Sequence, residues 1–182
     1  VELVLNSNRV VTVEFEKDIR RVLNVPGEYP YMTLSEAIEA SNNGDTVVIG
    51  SGTYTGSGFV IDKNITITSA DPNNPAVVAN TVIDFAGEVK GGFHLKGSGQ
   101  GGVAVLNGLT LINMTFNPTS IPGLPTTGDF FQGAVVVSGN HVVKNCVIRN
   151  ATITGNGGGD ADGWITGGGG IAVEFGDSII SD

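Results

Sequence analysis

The sequence predicts an all-β fold in which short strands wind into a solenoid, and three observations lead to that prediction. The 182 residues include 23 valines, 15 isoleucines and 16 threonines, against nine leucines and two methionines, so strand-favouring residues dominate. After residue 44, short apolar runs alternate with corners of Gly, Asn, Ser and Asp, which are turn residues. A segment then recurs at an interval of 37 residues, and repeats of about 20 to 50 residues are typical of solenoids, propellers and arrays.

The repeat is clearest between residues 105–115 and 142–152, which align without a gap. Gly133 and Gly170 keep the same interval. Because the aligned residues share their apolar and polar positions, each copy is expected to form one coil that stacks on the other. Many of the 28 glycines are then expected to lie at coil corners.

Three segments, beginning at Asn64, Asn113 and Asn150, fit the Asn-x-Thr pattern of a glycosylation acceptor. Chance occurrence is one alternative, because strands rich in Asn and Thr produce the pattern often. Stacked asparagine side chains at solenoid corners are another. The ladder interpretation is favoured for Asn113 and Asn150, since the repeat places one on the other.

The chain divides into a short first segment and a long second one. Residues 1–16 read as a β-hairpin, the tail of a preceding β-domain or a docking segment, and residues 17–182 form the solenoid, which we expect to be part of a longer polypeptide. Thr33 and Glu36 form a capping box at the start of a short helix. Asn43-Gly44 supplies a left-handed stop.

Charge and composition exclude several classes of protein. The net charge is −9, and the basic clusters that bind phosphate backbones are lacking, so nucleic acid is not an expected partner. No apolar run approaches the length of a membrane span, so membrane insertion is not expected within this segment. The single cysteine, Cys146, allows neither a disulfide framework nor a thiolate metal site, and a buried inert thiol is expected. An acidic, sparsely charged chain of this kind fits an extracellular or cell-surface location.

Residues 30–70 resemble the N-terminal part of right-handed parallel β-helices, the pectin-lyase-like family of bacterial surface and secreted proteins. The motifs that carry the resemblance are PYMTLSEAI (30–38), NGDTVVI (43–49), SGTY (51–54) and NITITS (64–69). The resemblance implies a right-handed parallel β-helix whose N-terminal helix caps the apolar bore.

Enzymes of that family act on acidic polysaccharides through carboxylate clusters with a Lys or Arg base, or through paired aspartates with a Gly-His-Gly motif. This sequence has neither an Asp-Asp pair nor Gly-His-Gly. Stacked coils could bring two carboxylates together, for example Asp84 and Glu174, at the spacing glycoside hydrolysis needs. His94 and His141 are expected to be surface or corner histidines. No catalytic residue is therefore assigned.

Two long insertions are the best candidates for a binding surface. Residues 117–132 and 155–169 follow equivalent points of the two repeats, so both are expected to leave the same corner of successive coils. Insertions collected on one face of a solenoid are often its binding face. Phe130, Phe131 and Trp164 could supply surfaces for sugar stacking; alternatively, these rings fold back to cover the coil edge.

The second insertion also carries a candidate metal site. Asn156, Asp160 and Asp162 offer the oxygen ligands that Ca²⁺ prefers, although a complete loop needs six to eight of them. The alternative is a solvated acidic turn.

The leading functional hypothesis is a non-catalytic extracellular module with a structural or adhesive role, binding polysaccharide or other copies of the chain. The alternative is a polysaccharide lyase or glycoside hydrolase that acts on an acidic polysaccharide.

Overall fold

The computed structural model describes residues 22–25, 29–87, 91–96, 102–116, 133–153, 170–175 and 179–181. Within these ranges the chain is mostly β, with strands in stacked sheets and two short helices. The predicted hairpin at residues 1–16 lies outside the described residues.

The strands are short, as the brief apolar runs predict. The helices are α1 (Leu34–Ala40) and α2 (Pro75–Asn80), and the strands are β1 (Val22–Val25), β2 (Tyr29–Tyr31), β3 (Thr46–Ile49), β4 (Gly52–Thr55), β5 (Phe59–Ile61), β6 (Thr66–Ser69), β7 (Thr81–Asp84), β8 (Phe93–Leu95), β9 (Val105–Asn107), β10 (Thr110–Ile112), β11 (Thr115–Phe116), β12 (Val135–Ser138), β13 (Val142–Lys144), β14 (Val147–Arg149), β15 (Thr152–Ile153), β16 (Ile171–Phe175) and β17 (Ile179–Ser181).

The chain visits three sheets in rotation, and each rotation is one coil. The first sheet has the order β17-β13-β9-β6-β3-β1-β2, the second β14-β10-β7-β4 and the third β16-β12-β8-β5. The first coil is therefore β3, β4 and β5, the second β6, β7 and β8, the third β9, β10 and β12, and the fourth β13, β14 and β16. A further two-stranded sheet, β11-β15, follows the second sheet along the chain in the third and fourth coils. All described strand pairs are parallel except β1 with β2 and β1 with β3. This arrangement is an all-β, solenoid-like stack of parallel sheets.

The interior consists of columns of apolar side chains, one from each coil. In the first sheet, Val47, Ile67, Leu106 and Val143 lie on one another in register, each at most 2% exposed. Phe59 and Phe93 stack in the third sheet with their ring centroids 5.0 Å apart. Burial of each such side chain contributes about 1.5–3 kcal/mol, so coil stacking is driven by the same columns that the alternating sequence predicts.

Helix α1 begins as the capping box predicts. The backbone N–H of Glu36 donates to Oγ1 of Thr33, and the Glu36 carboxylate accepts from the Thr33 N–H, both at 3.2 Å. The helix ends at Ala40, before the predicted stop, and Gly44 has the expected positive φ of 93°. Lys63 Nζ donates to the carbonyls of Ile38 and Glu39 at 2.9 and 2.7 Å, which places a cation at the negative end of the helix dipole.

The interval of 37 residues is confirmed as the ladder register between the third and fourth coils in the first and second sheets. Val105 pairs with Val142, and Thr110 pairs with Val147. Applied to the third sheet, the same interval would pair Val135 with Ala172, but this prediction is wrong by one residue. Val135 pairs with Ile171, and an irregularity between Val137 and Ser138 restores the interval at the end of the strand. Such an extra residue is a β-bulge, which bends a strand locally.

Helix α2 contacts β7 and β10 of the second sheet and was not predicted from the sequence. Asn74 caps it by accepting from the Ala76 N–H at 3.0 Å, and Thr110 Oγ1 donates to the Val78 carbonyl at 2.9 Å. The loop before this helix packs on a corner where Gly108 adopts a φ of +68°. A Cβ atom on Gly108 would collide with Pro72 and come within 2.8 Å of Ser69 Oγ.

Gly108→Ala is therefore expected to destabilise the fold more than Gly44→Ala does. Both glycines have positive φ, so both substitutions incur left-handed strain of roughly 1–2 kcal/mol. Only Gly108 faces a collision, since nothing lies within 4 Å of a Cβ on Gly44. Overpacking at Gly108 is expected to lower the free energy of unfolding by a further ~1–3 kcal/mol. Urea unfolding of both variants measures this difference. Equal losses in the two variants would contradict the packing of the loop on this corner.

Candidate functional site

The two insertions leave the solenoid from neighbouring positions. Strand β11 ends just before residues 117–132, and β15 ends just before the second insertion. These strands pair in parallel, with Thr115 opposite Thr152. The Thr152 N–H donates to the Met114 carbonyl at 2.8 Å. The prediction that both insertions start at the same corner of successive coils is confirmed.

A ladder of polar side chains supports this corner. Asn113 Nδ2 donates to Asp84 Oδ1 at 3.0 Å, and Asn150 Nδ2 donates to Asn113 Oδ1 at 3.2 Å. Each bond joins one coil to the next. The predicted stacking of Asn113 and Asn150 is confirmed, and the sequence had not shown that Asp84 begins the ladder.

The backbone explains why asparagine occupies these corners. Asn113 and Asn150 have φ values of +57° and +53°, and asparagine tolerates this left-handed conformation better than most residues. Its side chain carries both a donor and an acceptor, so one residue can bond to the coil before it and to the coil after it. Asp84, in the earlier coil, only accepts: its Oδ1 also receives the Ala86 N–H at 2.8 Å.

A second polar ladder lies between the first and second sheets. Asn145 Nδ2 donates to Asn107 Oδ1 at 3.0 Å and reaches Asn73 Oδ1 at 3.5 Å. Cys146 follows Asn145 in the corner between β13 and β14. Its Sγ donates to the Lys144 carbonyl at 3.2 Å, and burial raises the pKa of the thiol. A raised thiol pKa lowers the thiolate fraction, in agreement with the inert thiol that the sequence predicts. The residue is half-buried, however, and not fully buried as predicted.

The expectation of a surface or corner position is wrong for His94, which lies within β8, whereas His141 does lie at a corner, between β12 and β13, where it is buried. The side chains are 9% and 3% exposed. His94 Nε2 lies 2.8 Å from Ser138 Oγ, and His141 bonds to two backbone groups. Sequence reasoning missed this cluster because His94 lies 44 residues before Ser138 and 47 before His141. In addition, neither histidine has a polar neighbour pattern that marks a site.

The carboxylate pair considered for catalysis is not stacked. Asp84 ends β7 in the second sheet, whereas Glu174 lies in β16 of the third sheet. Stacking within one sheet therefore cannot bring these two residues together. Asp84 is instead engaged in the ladder with Asn113.

The side chains predicted to contact ligands belong to the two insertions. The aromatic candidates Phe130, Phe131 and Trp164 lie outside the described residues, as do the calcium candidates Asn156, Asp160 and Asp162. What is described is the corner from which both segments leave. In the described ranges, no group of three or more His, Cys, Asp or Glu side chains could hold a metal ion.

Comparisons with models of protein families, with curated proteins and with solved structures find no match to the chain. The fold and the corner ladder therefore rest on the geometry of this chain alone. Neither helix of the described part has the length and apolar character that a membrane crossing requires.

Asn113→Asp is expected to weaken the ladder by removing its central donor. The new carboxylate would replace the Nδ2 that lies 3.0 Å from Asp84 Oδ1, so two acceptors of like charge would meet. We expect a loss of about 2 kcal/mol at pH 7, measured by urea unfolding.

The second substitution Asp84→Asn is expected to restore much of that stability in the Asn113→Asp background, because an amide at 84 can donate to the carboxylate at 113. Asp84→Asn alone provides the matched control. Losses that simply add in the double variant would contradict a direct bond between these side chains.

Proposed function

We propose that this chain is a structural and adhesive module of an extracellular or cell-surface protein, built as a right-handed parallel β-helix, and that its paired insertions bind polysaccharide. The observation that carries the proposal is the pairing of β11 with β15, which starts two long segments at one corner of neighbouring coils. A pair of adjacent segments offers a larger contact surface than either segment alone. Binding surfaces are commonly built on loops that a rigid scaffold positions.

Helix α1 is proposed to cap the N-terminal end of the apolar bore. Its inward residues Leu34, Ala37 and Ile38 are buried and belong to the same cluster as the first coil's Val47 and Ile49. The antiparallel strands β1 and β2 lie beyond β3 at that end of the first sheet. A solenoid needs such a cap, because an open end exposes apolar side chains and unpaired backbone groups.

The polar contacts of the described coils favour a scaffold role over catalysis. Asp84, Asn113 and Asn150 bond to one another from coil to coil. This use of polar side chains fixes the register of the coils at the corner before β11 and β15.

The net charge of the chain limits the class of polysaccharide that it is proposed to bind. A net charge of −9 repels a polyanion unless a cation bridges the two. A neutral polysaccharide is therefore the proposed ligand class, with acidic polysaccharides expected to bind only when Ca²⁺ is present. The rings of Phe130, Phe131 and Trp164 are proposed to provide the stacking surface.

Binding can be measured through Trp164, the single tryptophan of the chain. Neutral and acidic polysaccharides, the latter with and without Ca²⁺, are titrated while indole fluorescence is followed. We expect a saturable change in fluorescence with a neutral polysaccharide. In affinity electrophoresis, we expect about tenfold weaker retention for Trp164→Ala and for the double variant Phe130→Ala with Phe131→Ala, because each ring buried by the ligand contributes about 1 kcal/mol or more. Met32→Ala, at an apolar side chain that is 74% exposed, is the control and should bind normally.

The chain length of each polysaccharide is measured in the same samples. Unchanged length together with binding supports the adhesive role. Depolymerisation that Arg149→Ala abolishes would replace it with the enzymatic alternative. Absence of binding to every polysaccharide, with oligomers forming at high concentration, would replace it with self-assembly.

A further inference from the structure

His141 lies at the junction of the third and fourth coils, and its hydrogen bonds fix its protonation state. The Ala104 N–H donates to His141 Nδ1 at 3.2 Å, across 37 residues of sequence. His141 Nε2 lies 3.1 Å from the Ser138 carbonyl oxygen. An amide N–H can only donate and a carbonyl can only accept, so Nδ1 must be unprotonated and Nε2 must carry the hydrogen. The neutral imidazole therefore satisfies both contacts, whereas an imidazolium, with hydrogens on both nitrogens, cannot accept from Ala104.

His94 joins the second coil to the third in the same region. Its Nε2 lies 2.8 Å from Oγ of Ser138, the residue whose carbonyl contacts His141. Ser138 thus connects the two rings, its hydroxyl to one and its carbonyl to the other. The corner is tightly built: Ser138 follows the register irregularity of β12, and Gly139 has a φ of +115°.

We infer that the cluster of His94, Ser138 and His141 is an acid-sensitive latch that holds the second, third and fourth coils together while both imidazoles are neutral. Protonation of His141 removes the acceptor of the Ala104 N–H and leaves two hydrogens facing each other. Protonation of His94 places a charge in a site that is 9% exposed. Both events loosen contacts between coils.

The charged groups near the latch also disfavour protonation of His94. Lys96 and His141 are two groups whose charge bears on His94. Burial, followed by Lys96 and His141, lowers the pKa of His94 from 6.5 to about 4. The unfolded chain therefore binds more protons than the folded chain between pH 6.5 and pH 4. Stability is highest above pH 6.5 and is lost as the pH falls through this window.

Amide hydrogen exchange at Ala104 tests the latch directly. After correction for intrinsic exchange, we expect the protection of the Ala104 N–H to fall further between pH 7 and pH 5 than that of the Val147 N–H, since a loss of global stability lowers both equally. The Val147 N–H is the matched control, because it joins the same two coils by donating to the Leu109 carbonyl at 2.9 Å, an acceptor that does not titrate. His141→Asn keeps a side-chain acceptor for Ala104 and should remove the difference between the two amides.

Equal pH responses of Ala104 and Val147 in the wild-type chain would overturn the inference, whether or not the variant folds. Nitrogen chemical shifts of the imidazole give a second reading on the wild-type chain. An Nδ1 that carries a hydrogen at pH 7 would also overturn it.

The contribution of His94 to the pH dependence of stability can be measured separately. The shift of its pKa predicts that the folding equilibrium constant falls about 20-fold between pH 7 and pH 5 from this residue alone. His94→Gln should remove that part of the fall in urea unfolding at the two pH values. A variant that retains the full wild-type fall would show that His94 does not belong to the latch.

Discussion

Every coil of this molecule depends on its neighbours for the hydrogen bonds of its backbone. In a parallel stack, the N–H and C=O groups of a strand are satisfied only by the strands on either side. The Val147 N–H donates to the Leu109 carbonyl, and the Val142 N–H donates to the Ala104 carbonyl, each from one coil to another. A side chain is consequently placed directly over the side chain one coil earlier, and the two must suit each other. The apolar columns, polar ladders and glycine corners all follow from this requirement.

The same requirement gives polar residues their roles. A buried or half-buried polar group must find its partner within its own coil or in the adjacent ones. Asn113 finds partners on both sides, in Asp84 and Asn150. His141 spans the next junction with the backbone of Ala104. The bond between Asn113 and Asn150 joins two amides, which do not titrate, whereas the contact of His141 with Ala104 depends on a neutral imidazole. The same solenoid can therefore contain contacts between coils that do not depend on pH and contacts between coils that do.

Sequence patterns predicted those features that each coil repeats. The interval between Val105 and Val142 is the ladder register, and the stacking of Asn113 on Asn150 followed from it. The capping box was equally visible, because its two residues are three positions apart. These features are local or periodic, which is why a single sequence reveals them.

The features that the sequence did not predict depend on contacts that do not recur at a fixed interval along the chain. The bulge after Val137 shifts the third sheet by one residue, and a uniform interval cannot show it. Helix α2 is six residues long and is held by a contact with Thr110 in the next coil. The burial of His94 and His141 arises from groups brought together by winding. Phe130, Phe131 and Trp164 remain predictions.

Backbone nuclear Overhauser effects between the two copies of the repeat test the central claim most directly. Stacked parallel coils predict contacts at a constant interval of 37 residues, with Leu106 near Val143, Leu111 near Ile148 and Thr115 near Thr152. A hairpin arrangement would instead pair residues 105–107 with 110–112 in antiparallel fashion. Contacts of that second kind, without those at 37 residues, would contradict the solenoid and every role assigned to its corners.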